Sequence, residues 1–479
     1  MRQEGENADR ALNRALGGEG VCDLKRRGIL VGDKKGAYYF INGYVDSAAL
    51  QRLHLALARI PAPTPENGSF LQYGERFFPF ADLKETESPE QAALEVLRGS
   101  AVLTLAGFSS YLSLDVRSYA SRGIQEPEKD RTLRGPHLGF NENAVSNLVL
   151  IRRHLRTPSL RTERFEVGRA IPGEVILVYL KETANKKVLE RVRRRLKETD
   201  FPALSMSQES LADILYPQRG AALINPFPRV RFTERPDVAA AGLMEGKIVL
   251  ICDNSPAVML LLESFFDFFE EADDYYFPPV TATYLKIVRM AVFIASILLI
   301  PIWLLAAEHG ETLPASLRFL LADGDFAVPL YLQFLLIEVA LDGLRMASLN
   351  TPNSLSNSFS IIGGLILGDF AVKSGWFVPQ TILYSAFTGI ANYVPTNYEL
   401  GYSIKFCRMS LILLVHFFGG WGLATGLVLW TLLFFSTRLT VDKNYLYPLF
   451  PPDPKALFRI FFRTRQGRER RLKKQDPSG

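Results

Sequence analysis

The chain has 479 residues, of which 48% are hydrophobic and 22% charged, and its formal net charge is +5. These averages are those of an ordinary protein of two or three domains, and so small an excess of positive charge does not by itself indicate nucleic-acid binding. The averages combine unlike parts: residues up to about 280 are charged and periodic, those up to about 440 are strongly apolar, and the tail is basic.

The beginning of the chain is polar. Residues 1–20 contain no apolar core between a basic start and a small-residue cleavage site, so they do not resemble a signal peptide, and we expect them to be disordered. Cys22, Cys252 and Cys407 are isolated, which predicts a reducing compartment with neither a disulfide framework nor a metal cluster. The large soluble part is therefore expected in the cytosol.

Residues 21–280 are predicted to form a soluble α/β region of two small subdomains, 21–130 and 131–280. Strands alternate with helices, which favours a mixed sheet covered by helices in the second subdomain. The strands are predicted at Ala37–Asn42, Ala101–Leu105, Tyr111–Val116, Glu174–Leu180 and Lys247–Cys252, and the helices at Ser47–Ile60, Pro89–Leu97 and Lys186–Leu196.

The end of the second subdomain is strongly aromatic. Ser255 is predicted to cap a helix that has Pro256 at its first position and that continues into the aromatic run Phe265–Phe269. Acidic residues within and after this run exclude a membrane span. We therefore expect an aromatic juxtamembrane helix, lying at the interface as a collar or docked on the membrane region.

Three arginines accompany the apolar face of a predicted helix in the second subdomain. Asn141 is predicted to cap this helix, and Arg152, Arg153 and Arg156 lie largely off its apolar face. They form either a solvated or salt-bridged face, or a contact with a neighbouring subunit or anionic lipid. The basic helix at Lys186–Leu196 has no nucleic-acid module or aromatic stacking platform beside it, so we expect no nucleic-acid binding.

Residues 281–440 are predicted to form a polytopic α-helical membrane domain. Val288–Ala307 carries one charge, Arg289, and about 20 such residues cross a hydrocarbon core of roughly 30 Å. More apolar segments follow, separated by Gly, Pro, Asn and charged breaks, and a soluble core does not explain a row of them. These segments are Phe326–Leu344, Phe359–Val372, Trp376–Val394, Met409–Phe418 and Trp421–Phe435.

Basic residues that flank the apolar segments indicate that both termini face the cytosol. Lys286 and Arg289 precede the first segment, whereas the next loop is acidic. The tail, 441–479, is basic and suits contact with anionic headgroups. The number of crossings is expected to be even, either six or four with a re-entrant pair. The cations assigned to alternate turns are Arg345, Lys405, Arg408, Arg438 and Lys443.

The charged residues inside the second apolar segment are candidates for a functional site. Glu338, Asp342 and Arg345 are spaced by four and three residues, so they share one helical face. Charges in hydrocarbon are costly and must meet partners or water. One interpretation is an Asp342–Arg345 pair with interhelical hydrogen bonds. The other is a polar stripe along an ion path, where Glu338 from several subunits would form a ring that favours cations.

Asp369 is a further candidate for the ion path, because it lies four residues before Lys373 in a segment whose glycines permit close helix packing. The 5 histidines show no metal-ligand spacing, and the sequence contains no P-loop, dinucleotide fingerprint or nucleophile elbow. We therefore expect no enzymatic activity and no cofactor.

Several long stretches resemble the A subunits of GerA-type spore germinant receptors. They are RGPHLGFNENAVSNLVLIRRHLRTPSL, KIVLICDNSPAVMLLLESFFDFFEEADDYY, and the membrane stretch from FAVPLYLQFLLIEVALDGLR to YELGYSIK. The receptor subunits carry a glutamate and an alanine-glycine pair after their arginine, where this chain has Met346, Ala347 and Ser348. The resemblance is therefore closer to the SpoVAF (stage V sporulation protein AF) branch of the family.

The resemblance covers roughly residues 20–445 and implies a role in spore germination, at the inner membrane of an endospore and with other germination membrane proteins as partners. It also implies a homo-oligomeric, pentameric ion channel that releases monovalent cations, with Glu338, Asp342 and Arg345 as the matching membrane charges. Two alternatives remain open. One is a non-conducting scaffold that couples the soluble region to other germination proteins. The other is a secondary transporter, for which the membrane region lacks the expected internal repeat.

Overall fold

The computed structural model divides the chain into two compact units. The first comprises Met1–Pro217 and Val230–Leu262, and the second comprises Gln218–Arg229 and Glu263–Gly479. The residues that the structure describes are 2–18, 20–63, 68–78, 82–117, 127, 132, 135–198, 207–216, 224–271, 273–308, 314–321, 327–350, 371–395, 397–437 and 445–461.

The first sheet has five strands in the order β1-β2-β4-β5-β3, and each neighbouring pair is antiparallel. Its first hairpin turns at Gly32, whose φ of 58° favours a residue without a side chain. Strand β4 is buried along its whole length, so it forms the centre of the sheet. The strands are β1 (Leu24–Val31), β2 (Lys34–Ile41), β3 (Leu83–Thr86), β4 (Ala101–Leu105) and β5 (Tyr111–Leu114).

Local capping defines the helices beside this sheet. The side chain of Asp46 accepts a hydrogen bond from the Ala48 amide, Ser69 forms a capping box with Gln72, and Ser88 precedes a helix that starts at Pro89. The helices are α1 (Arg2–Ala15), α2 (Ser47–Leu57), α3 (Phe70–Phe77) and α4 (Pro89–Leu97).

The prediction that residues 1–20 are disordered is wrong, because α1 occupies most of them. Ala8, Leu12 and Leu16 lie on one face of this segment and are buried in the core beside α4 and the first sheet. The Asp9 carboxylate accepts a hydrogen bond from the Tyr39 hydroxyl at 2.7 Å and pairs with Arg26 at 2.8 Å. These long-range contacts stabilise a segment whose polar composition hides its narrow apolar face.

The second sheet also has five antiparallel strands, in the order β6-β7-β9-β10-β8. Helix α5 is capped by Asn143, two residues after the predicted cap, while the side chain of Asn141 accepts from the Asn143 amide at 2.9 Å. The strands are β6 (Leu160–Val167), β7 (Gly173–Leu180), β8 (Arg231–Thr233), β9 (Ile248–Cys252) and β10 (Val258–Leu261), and the helices are α5 (Ala144–His154), α6 (Lys186–Glu198), α7 (Gln208–Leu215) and α8 (Pro236–Met244).

The two halves of this unit repeat one succession of elements. From α1 to β5, and again from α5 to β10, the chain forms a helix, two strands, two helices, a strand, a helix and two strands. The strand order is also the same, because in both sheets the third strand lies at the edge beside the fifth. The shared order and the shared antiparallel pairing indicate an internal structural duplication of the first unit.

Two predictions for the second half need correction. The described strand pairings of this sheet are all antiparallel instead of mixed. β6–β7 and β9–β10 are hairpins, and the helical connections between them return β9 beside β7 and place β8 beside β10 in the antiparallel sense. The helix predicted to begin at Pro256 is strand β10, which pairs with β9 and β8. Its residues are apolar at every position, a pattern that fits a fully buried strand as well as a helix, so periodicity alone did not separate the two.

The described elements of the second unit are helical. An aromatic 3₁₀ turn at Phe265–Phe269 begins it, and a second 3₁₀ turn follows at Ala315–Leu320. The first unit ends at Leu262 and the second also includes Gln218–Arg229, so the division of the chain differs from the predicted boundary at residue 280. The helices are α9 (Asp273–Tyr276), α10 (Pro279–Glu308), α11 (Leu330–Asn350), α12 (Ala371–Lys373), α13 (Pro379–Ala391), α14 (Tyr398–Ser436) and α15 (Pro454–Phe461).

Within the described part of the chain, two helices have the length and apolar composition of a membrane span: α10, with 30 residues, and α14, with 39. Helices α11 and α13 coincide with two further predicted apolar segments. The predicted segment Phe359–Val372 lies largely outside the described residues, as does the basic part of the tail from residue 462.

Helix α14 is a hairpin. Gly419 has the non-helical angles φ 57° and ψ −137°, which interrupt the helix. The Trp430 indole N–H donates to the Ser410 hydroxyl at 2.7 Å, whereas a continuous helix would separate these residues by about 30 Å. The two halves therefore fold back on each other, and a side chain at Gly422 would collide with the Leu414 carbonyl. The two predicted segments around this turn are thus separate helices.

The aromatic run at Phe265–Phe269 is docked on the apolar helices, one of the two arrangements that its composition predicts. Phe265 packs against Phe434 of α14 at a ring distance of 4.7 Å, and Phe269 packs against Phe293 of α10 at 4.9 Å. Tyr445 is buried in the same cluster. The run is a single 3₁₀ turn instead of a long helix, so it places four phenylalanines in a small volume.

Candidate functional site

Helix α11 carries the three charged residues that the sequence places on one face. Glu338 is completely buried, whereas the side chain of Asp342 is 35% exposed. Arg345 is partly buried one turn further on. The shared face is therefore present, but its three charges have different surroundings.

Two cations of α14 meet this face. The Arg408 guanidinium binds Glu338 Oε1 through Nη2 at 2.6 Å and donates to it through Nε at 2.8 Å. Lys405 Nζ lies 3.2 Å from Glu338 Oε2 and 2.6 Å from Asp342 Oδ2, and it also donates to the Glu338 carbonyl at 2.8 Å. These four side chains, here called the charge cluster, sum to zero net charge, which makes their burial tolerable.

Arg408 extends the charge cluster to two other helices. Its Nη1 donates to the Ser296 carbonyl of α10 at 3.0 Å and to Asn392 Oδ1, just after α13, at 3.4 Å. Pro301 lies within α10 and lacks the N–H that would bond the carbonyl of Ile297, the residue after Ser296. One guanidinium thus joins α10, α11, α13 and α14.

The structure corrects the interpretation of Glu338 as a member of a carboxylate ring between subunits. Its carboxylate is 0% exposed and points to Lys405 and Arg408 of its own chain, so it presents no charge to a neighbouring copy. The alternative Asp342–Arg345 pair is also absent from the described contacts. Asp342 binds Lys405 instead, and the Arg345 guanidinium lies over tyrosine rings.

Sequence reasoning assigned Lys405 and Arg408 to cytosolic turns, whereas both are buried inside α14. Their spacing of three residues and the apolar residues after them were the available signals, since a helix that continues through a cation needs a buried acid nearby. Arg438 and Lys443, assigned to the same class, lie outside the described residues.

A second buried polar contact, which sequence reasoning missed, joins α11 to α13. Gln333 Oε1 accepts from the Thr381 hydroxyl at 2.9 Å and from the Val378 amide at 3.0 Å, and its Nε2 donates to the Val328 carbonyl at 2.8 Å. A lone glutamine in an apolar helix was the signal, because a buried amide must find partners. This contact fixes α11 against the start of α13.

The structure places the other predicted site residues in different surroundings. Arg152 is 1% exposed and forms a bidentate pair with Asp23 at 2.6 and 2.8 Å, so it is an internal ion pair and does not contact lipid or another subunit. Arg153 is partly buried and Arg156 is exposed, and their predicted contact stays a prediction. Asp369 lies outside the described residues.

A family model described as Bacillus/Clostridium GerA spore germination protein matches residues 11–474. Stage V sporulation protein AF of Bacillus subtilis (strain 168) is 30% identical over 442 residues, which cover 92% of this chain and 89% of that protein. Spore germination protein KA of the same organism is 27% identical over 450 residues, 92% of this chain and 81% of that one.

Among solved structures, the N-terminal domain of the A subunit of the Bacillus megaterium spore germinant receptor GerK3 aligns with 53% of this chain and 92% of its own, at 24% identity and a TM-score of 0.39. The family model spans almost the whole chain, and the identity to stage V sporulation protein AF extends over both units. This chain belongs to the GerA family of spore germination proteins.

Proposed function

We propose that this chain is a multi-pass protein of the inner spore membrane that assembles into a homo-oligomer, pentameric by family resemblance, and conducts monovalent cations during germination. Family membership supports the role in germination, and the apolar helices α10 and α14 support the membrane location. In this proposal both termini face the cytosol, and other germination membrane proteins are its partners.

The observation that carries conduction is the exposure of Asp342. This carboxylate is 35% exposed while it binds Lys405 at 2.6 Å, so it is the acidic member of the charge cluster that reaches the outside of the chain. A carboxylate at such a position attracts cations when several copies surround a common path. Lys405 neutralises it in the present conformation, and a shift of this ammonium towards Glu338 would expose the negative charge.

The second candidate is the non-conducting scaffold. It is favoured by the complete burial of Glu338 and Arg408. These two residues connect four helices of one chain, which is a structural role. In that case the charge cluster would transmit a rearrangement from one helix to another without any ion passing. The two candidates differ in one measurable property, which is ion flux through the purified protein.

The test is potassium and chloride flux in proteoliposomes that contain the full chain, with Asp342→Asn compared with the wild type. Conduction predicts potassium-selective flux in the wild type and a several-fold loss of selectivity over chloride in Asp342→Asn. Asp33→Asn, which changes an exposed aspartate in the β1–β2 turn, is the matched control and should leave the flux unchanged.

Two results would contradict conduction. A wild-type protein that is folded and oligomeric but passes no ions favours the scaffold. Flux that depends on exchange with a second solute favours a transporter. Glu338→Gln serves a different purpose, because it removes the charged partner of Arg408 and should cost about 3–5 kcal/mol of stability. We expect this variant to lower the melting temperature without a specific change in selectivity.

A further inference from the structure

Three tyrosine rings surround one arginine near the end of α11. The Arg345 guanidinium carbon lies 5.0 Å from the ring centre of Tyr393, 5.0 Å from that of Tyr398 and 5.1 Å from that of Tyr402. All three distances are within the range at which a ring face attracts a cation. We call these three residues the tyrosine cage.

The local sequence explains how the tyrosine cage forms. Tyr398 and Tyr402 are four residues apart at the start of α14, so their rings share one face of the helix. The Asn397 side chain accepts from the Glu399 and Leu400 amides and thereby defines where the helix begins.

The third ring comes from the turn that precedes α14. Gly401 allows this turn to close on the end of α13, because a side chain at this position would lie 2.6 Å from the Asn392 carbonyl oxygen. That close approach brings Tyr393, the residue after Asn392, to the same guanidinium as the rings of α14.

Among the described residues, the three tyrosine ring faces are the contacts of the Arg345 guanidinium. Arg345 makes no ion pair there, since the nearby carboxylate of Asp342 binds Lys405. Arg408 and Arg152, by contrast, each bind a buried carboxylate through two nitrogens. An arginine held by ring faces alone is exchangeable in a way that a buried bidentate pair is not, because no carboxylate is left uncompensated when it leaves.

The tyrosine cage is open. Tyr393 is 59% exposed and Tyr398 is 49% exposed, so a small solute reaches the ring faces without passing through packed side chains. Tyrosines are common near membrane interfaces, where they usually anchor a helix individually. Here three of them converge on a single cation, which is the arrangement that proteins use to bind ammonium and guanidinium groups.

We propose that the tyrosine cage is a binding site for small organic cations with a diffuse charge, such as alkylguanidinium and quaternary ammonium ions. Arg345 is its resident cation in this conformation. An external cation occupies the site when Arg345 withdraws, and the contact that Arg345 makes between α11 and the start of α14 is then lost. The proposal concerns binding and does not depend on whether the protein conducts ions.

The experiment measures binding of methylguanidinium and tetramethylammonium chloride to the purified full chain by calorimetry, with sodium chloride as the salt control. Arg345→Ala vacates the tyrosine cage and should bind methylguanidinium at least tenfold more tightly than the wild type. Arg345→Lys leaves a cation in place and should remain as weak as the wild type. Arg345→Gln, which removes the positive charge but keeps the first part of the side chain, replaces Arg345→Ala if the latter does not fold.

A second substitution tests whether the tyrosine ring faces themselves bind the cation. In the Arg345→Ala background, Tyr398→Phe retains the ring and should preserve binding within about twofold, whereas Tyr398→Leu should weaken it at least tenfold. Equal binding by the wild type and folded Arg345→Ala or Arg345→Gln overturns the proposal. So does equal binding by the Tyr398→Phe and Tyr398→Leu double variants, since the rings would then not be the binding surface.

Discussion

The buried ion pair between Arg152 and Asp23 provides a test of what stabilises the first unit. Arg152→Met keeps most of the side-chain volume but leaves the Asp23 carboxylate, which is 5% exposed, with the Thr162 hydroxyl at 2.8 Å as its described side-chain partner. Two charge-assisted hydrogen bonds are lost, and removal of one member of a buried ion pair costs about 3–5 kcal/mol. We therefore expect the equilibrium constant for local opening of α5 and β6 to increase by roughly 10²-fold to several thousand-fold.

Hydrogen exchange followed by mass spectrometry on the full chain measures this opening. Peptides that cover α5 and β6 should exchange faster in Arg152→Met, whereas Arg156→Met makes the same change at an exposed position and should alter stability by less than about 0.5 kcal/mol. Adding Asp23→Asn to Arg152→Met should recover part of the loss, because the buried charge is removed. Equal exchange in the two single variants would refute the assignment of Arg152 as an internal ion pair.

Two further predictions concern one residue in each unit. Burial opposes ionisation of Glu163, but its hydrogen bonds with Arg193 at 2.6 and 2.9 Å outweigh burial and lower its pKa. This stabilisation is therefore present above pH ~4.5 and is lost as the pH falls through the lowered pKa, so Glu163→Gln should destabilise by about 1 kcal/mol at pH 7 and by less at pH 3 in thermal melts. Gly422→Ala should open the α14 hairpin, because its side chain would meet the Leu414 carbonyl, whereas Gly420→Ala has open space around it. Cysteine cross-linking between the two halves of α14 should fall in the first variant and remain in the second.

The prediction of secondary structure succeeded where local signals were strong. The helix at Pro89–Leu97 and the hairpin of β4 and β5 lie where the pattern predicts them, because a cap, a proline and a glycine turn mark their limits. Strand β10 and helix α1 were missed, since an apolar run of four residues and a polar segment with a narrow apolar face are both ambiguous. The structural duplication was missed, because it is seen in the order of the elements and in the strand order of the two sheets.

At the candidate site, too, the sequence determined one part of the arrangement and the tertiary structure determined the rest. Sequence alone determined that Glu338 and Asp342 share a face of an apolar helix and therefore need partners, because an unpaired charge in hydrocarbon is too costly to keep. Tertiary structure decided which partners they have, since Lys405 and Arg408 lie 67 and 70 residues after Glu338 and reach the acids when α14 packs on α11. The burial cost is a property of the residue type and its local surroundings, whereas the charge that offsets it depends on which helices meet.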